Sequence, residues 1–78
     1  MGHFARHGMK QYDVVRVAAI RGDRFASERP GFQRHPRVGD VGAILEVYDG
    51  ALEVECSDPQ TGFTIWLEAM FPDELEIV

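Results

Sequence analysis

Apolar and polar positions alternate most clearly across residues 41–56, where two runs rich in Val, Ile and Leu flank Asp49-Gly50. This pattern predicts a tight β-hairpin, and a two-residue Asp-Gly link suits a type I′ turn, whose twist matches its strands. In the second arm, residues 52–56, Leu52, Val54 and Cys56 face inward while Glu53 and Glu55 face water. In the first arm, residues 41–48, two inward sets compete: Ala43, Leu45 and Val47 against Ile44 and Tyr48. A bulge near Gly42 would mix them. Gly39 and Gly42 bracket the entry to this arm, where glycine permits a sharp bend, a bulge or close approach of another backbone.

The remaining segments are arranged around this hairpin. Residues 12–20 (YDVVRVAAI) predict a first strand with Val15 and Val17 on one face and Val14, Arg16 and Ala18 on the other. Residues 21–38 are loop by every sign, with Pro30, Pro36, Gly22, Gly31 and five arginines. Structureless connections of this length are uncommon in a small domain and are often functional. Within the loop, Phe25 and Phe32 either plug an open end of the fold or contact a partner. Residues 58–62 form a turn, and residues 63–67 a fourth strand with Phe63, Ile65 and Leu67 inward and Thr64, Trp66 and Glu68 outward. Trp66 then either anchors an interface or lies under the long loop or the N-terminal arm. A short turn around Pro72, with a 3₁₀ character, leads to a last strand over residues 74–78 that closes against the first. Five short strands, tight turns and one long first loop describe an all-β, small five-stranded SH3-like barrel. An OB-type barrel is the competitor, but it needs longer strands and a helix for which the chain has no room.

Composition narrows the reading. Seventy-eight residues make one domain: residues 1–11 as a flexible N-terminal arm and residues 12–78 as the barrel. Met9 is a possible natural start, with the residues before it an extended leader. His3 and His7 on such an arm make only a weak metal site. The single cysteine excludes an internal disulfide and thiolate zinc cages, and Cys56 has no basic neighbour in sequence to activate it. No apolar run is long enough to span a bilayer, so a cytoplasmic protein is expected, with no membrane partner and no cofactor. Charge is asymmetric. All eight basic residues lie in the first 37 positions, and ten of the thirteen acids lie from Gly39 onward. Either the two sets neutralise each other within the fold or they mark a charged partner.

Tyr12-Asp13-Val14-Val15-Arg16-Val17, Gly39-Asp40-Val41-Gly42-Ala43-Ile44 with Glu46-Val47, Glu53-Val54-Glu55, Asp58, Gly62, Thr64 and Asp73-Glu74-Leu75 resemble a family of small bacterial proteins known only as a domain of unknown function. The resemblance covers residues 12–78 and implies an SH3-like barrel. It brings no catalytic residues. The chain departs from the family in its long arginine-rich loop and in the residues before Met9.

No phosphate loop, Ser-His-Asp set or Cys-His set is present, so an enzyme is not expected. A non-catalytic protein-interaction module, or an accessory or inhibitory subunit, is the leading reading. Its candidate partner-binding residues are Trp66, Phe25, Phe32, Arg34, Arg37 and Tyr48. The partner is another protein, including a basic one held by Glu46, Glu53, Glu55, Glu68, Glu74 and Glu76, or a second copy of the chain meeting at the Trp66 face. The alternative is RNA binding, with the basic loop between Arg21 and Arg37 holding phosphates and its phenylalanines stacking bases. The acidic balance of the second half opposes it.

Overall fold

The computed structural model describes residues 8–25 and 33–78. Five strands follow in order: β1 (Val14–Val17), β2 (Val41–Tyr48), β3 (Ala51–Ser57), β4 (Thr64–Met70) and β5 (Leu75–Ile77), with a 3₁₀ turn at Pro72–Glu74 leading into the last. All pairings are antiparallel, and the strands form one sheet in the order β4-β3-β2-β1-β5. The chain is therefore all-β, with the five short antiparallel strands and the long first connection that its pattern predicts. The last strand pairs with the first, but the barrel is not closed: β4 and β5 remain the two edges of the sheet.

The inner face is built by alternation. Val15 and Val17 of β1, Ile44 of β2, Leu52, Val54 and Cys56 of β3, Trp66 and Met70 of β4 and Leu75 of β5 form one buried cluster. Met9, Ile20, Phe25 and Ile65 pack against its margins. Part of the expected N-terminal arm lies outside the described residues. Of the rest, Met9 reaches the core and Gln11 donates its side-chain amide to the Leu45 carbonyl.

The ambiguity in β2 is resolved by a bulge at Leu45: Ile44 pairs with Val54 while Glu46 pairs with Glu53. The slip turns Ile44 inward and leaves Val47 and Tyr48 exposed. At the hairpin tip, Gly50 has a φ of 88° and Asp49 does not share the left-handed region. A type I′ turn needs positive φ at both central positions, so the turn is not the type that the Asp-Gly pair predicts.

In β4 the facing is opposite to expectation. Trp66, Glu68 and Met70 point inward, while Phe63 is 70% exposed. The cause is a second register shift: Cys56 pairs with Trp66, but Ser57 pairs with Thr64, so Ile65 is an extra residue. Trp66 thereby shares the inward face of Cys56. Apolar residues occupy both alternations of this segment, so periodicity alone could not choose between them.

Gly42 is required by close approach. A Cβ there would lie 2.5 Å from the Glu55 carbonyl oxygen, a backbone atom of the neighbouring strand. Gly50 has open space around it and is constrained only by its backbone angle. Gly42→Ala should therefore lower unfolding stability by about 2 kcal/mol, as overpacking does. Gly50→Ala should cost only about 1 kcal/mol, through its positive φ. Urea unfolding followed by Trp66 fluorescence measures both, and a larger loss at Gly50 would show that the β2–β3 contact yields easily.

Candidate protein-interaction surface

Two carboxylates anchor the long loop to the sheet. Asp40, just after the tight turn at Gly39 (φ 100°), receives both Arg34 guanidinium nitrogens, Nη1 on Oδ2 at 2.7 Å and Nη2 on Oδ1 at 3.0 Å. Its Oδ2 also accepts the Trp66 indole N–H at 2.8 Å and the Arg37 backbone N–H at 2.9 Å. Burial alone would raise the Asp40 pKa. The hydrogen bonds from Arg34, Trp66 and Arg37, with the Arg34 charge, outweigh that and hold the carboxyl below its usual range. The bond to Asp40 raises the Arg34 pKa in turn, against the opposing effect of burial.

Glu74 is the second anchor, and its residue is fully buried. Its carboxylate pairs with the Arg24 guanidinium and accepts the backbone N–H groups of Arg21 and Phe71. Arg21 forms a two-pronged pair with Asp73 and lies 3.9 Å from the centre of the Phe71 ring. Arg24 also donates to the Ala69 carbonyl, and Gln33 N–H donates to the Ile65 carbonyl, so the two described ends of the loop both dock on the edge strand β4. Phe25 stacks on His35 at 6.2 Å and ties those ends together.

These contacts redistribute the predicted binding residues. Trp66 is fully buried and hydrogen-bonded to Asp40, so the expectation that it is an exposed anchor, or a face for a second copy, is corrected. Phe25 packs against the margin of the core, as a plug would. Phe32, like His3 and His7, lies outside the described residues. Arg34 is committed to Asp40, and Arg37 is exposed beside it. Tyr48 is half exposed at the far end of the sheet and donates its phenol to Glu53 Oε1 at 3.2 Å. The five described candidates therefore do not converge on one surface. Cys56 is buried, and its burial, with the negative charge of Asp40, raises its thiol pKa despite Arg34.

The predicted acidic face contracts as well. Glu74 is buried, Glu68 is only 8% exposed, and Glu76 pairs with Arg16 at 2.8 Å. Neutralisation within the fold accounts for much of the charge asymmetry: Arg16, Arg21, Arg24 and Arg34 each pair with an acid from beyond Gly39. A compact acidic surface remains at the β2–β3 hairpin. Glu46 lies directly across from Glu53, with Tyr48 beside them and Asp49 at the tip. Partial burial and the charges of Glu53 and Glu46 raise the Tyr48 pKa.

Among the described residues, no group of three or more His, Cys, Asp or Glu side chains is placed to hold a metal ion, and no helix is long and apolar enough to cross a membrane. Comparison with family models, with curated proteins and with solved structures finds no match.

Because the folded pKa of Asp40 is depressed, its contribution to stability is complete above the unfolded value of roughly 3.9 and is lost as pH falls through the folded value. Asp40→Asn should lower stability at neutral pH by about 2 kcal/mol, the range for hydrogen bonds to a charged group. It should also flatten the decline on acidification below the unfolded pKa. Urea unfolding at a series of acid pH values tests both, and parallel wild-type and variant curves would show that the anchor does not couple to folding.

Proposed function

We propose that the protein is a non-catalytic interaction module of the small bacterial family that its sequence resembles. In this reading it acts in the cytoplasm as an accessory or inhibitory subunit and binds a basic segment of another protein. The observation that carries the reading is the cross-strand pairing of Glu46 with Glu53 on the outer face of the hairpin. Like charges directly opposite each other destabilise a strand pair, and Tyr48 places an exposed aromatic ring beside them. A lysine- or arginine-bearing segment would relieve the repulsion and could lie against that ring. Such charge complementarity chiefly governs the rate and selectivity of association.

The RNA-binding reading has less support. Of the arginines it needs, Arg21, Arg24 and Arg34 already hold carboxylates, and opening those pairs would offset part of what phosphate contacts gain.

The discriminating experiment is Glu53→Lys. It converts a like-charge pair into an opposite-charge pair, so the variant should be more stable by about 0.5 kcal/mol. It should also fail to capture the protein partner that the wild-type chain retains from nuclease-treated lysate, and wild-type capture should weaken as salt is raised. A stabilised variant that still captures the same partner would refute the hairpin face. Capture lost to nuclease and to Arg37→Glu, but not to Glu53→Lys, would turn the reading towards nucleic acid.

A further inference from the structure

A second exposed surface lies on the outer face of β5, β1 and β2. On β1 the outward residues are Val14 and Arg16. Val14 pairs with Ala43 and Arg16 with Val41 on one side, while on the other side Arg16 pairs with Glu76 and the Val78 N–H donates to the Val14 carbonyl. Val14, Val41 and Val78 are 48%, 45% and 61% exposed. In their midst is the Arg16–Glu76 ion pair, with its side chains 44% and 51% exposed. The patch is thus three valines around one cation and one anion.

We infer that this face joins two copies of the chain. A two-fold interface presses a patch onto itself, so the patch must be its own electrostatic complement. The hairpin surface fails that requirement, since Glu46, Asp49 and Glu53 would meet their own images. The edge of β4 carries the docked ends of the long loop. The Arg16–Glu76 face satisfies the requirement: a two-fold axis passing between the two side chains sets the cation of one copy against the anion of the other and withdraws the valines from water. Both charges stay paired, so removing them from solvent does not strand either one.

The net charge of −5 sets how the dimer should behave. The copies repel at long range, and salt screens that repulsion while leaving apolar burial intact. Self-association should therefore strengthen as salt rises from low to moderate, the opposite of the dependence expected for a basic partner at the hairpin. This inference is independent of the hairpin reading, and Glu53→Lys separates the two because it lies outside the dimer face.

Sedimentation equilibrium of the full chain over roughly micromolar to millimolar concentration, the range of weak association, provides the test. The wild-type mass should rise from 8.8 kDa towards twice that value. Arg16→Glu and Glu76→Arg should each weaken association at least tenfold, the double variant R16E/E76R should restore it, and Val41→Thr should weaken it without altering charge. Trp66 fluorescence reports that each variant remains folded. A wild-type chain that stays monomeric throughout overturns the inference, as does a dimer indifferent to Arg16→Glu and Val41→Thr.

Discussion

A carboxylate withdrawn from water must be paired, and that constraint at Glu74 and Asp40 organises the irregular half of the fold. The described ends of the long loop have no strand ladder of their own to define their path. Glu74 fixes one end by gathering the Arg24 guanidinium and the Arg21 backbone N–H, and Asp40 fixes the other through Arg34 and the Arg37 backbone N–H. Buried ion pairs often add little net stability relative to apolar residues of the same volume, but removing one partner is severe. Their effect here is on geometry. They hold the described ends of the loop against β4, where Arg24 and Gln33 occupy edge carbonyls otherwise open to strand addition.

The regular half was legible because one alternation dominated each segment. Val15 and Val17, and Leu52, Val54 and Cys56, are buried where their spacing placed them. The β4 segment misled because Phe63, Ile65 and Leu67 offered an apolar face as convincing as Trp66 and Met70. The choice was made by contacts distant in sequence: the extra residue at Ile65 and the Asp40 acceptor for the indole. Glu74 was obscured for a related reason. Beside Leu75, Glu76 and Ile77 it continues a polar–apolar alternation, but it belongs to the 3₁₀ turn before β5, and its inward direction follows from that turn. Of the described candidate residues, Tyr48, Arg37 and the Glu46–Glu53 end of the hairpin remain at the surface. The bulge at Leu45 that sets the register of that hairpin leaves no mark in composition.

Several glycines and acids outside the apolar alternation are structural determinants as well. Gly39 supplies a positive φ, Asp40 collects four hydrogen bonds, and Gly42 admits the Glu55 carbonyl. Asp58 accepts the Gln60 and Thr61 N–H groups in the turn that ends at Gly62, and Glu74 closes the long loop. Such a pattern describes how a barrel of this size is folded. It directs the search for function away from those residues themselves.

What remains after internal pairing is where a partner can act. Among the described residues, four arginines pair with acids of the same chain, and the carboxylates they meet are neutralised. The hairpin keeps its acids side by side, with no cation on the facing strand to offset Glu46 and Glu53. A fold able to pair Arg16 with Glu76 across adjacent strands could accommodate the same arrangement at the hairpin, where a single lysine would suffice. The contrast between a neutral, valine-lined face and a repulsive acidic one separates the two proposed contacts: a second copy at the first, a surface of opposite charge at the second.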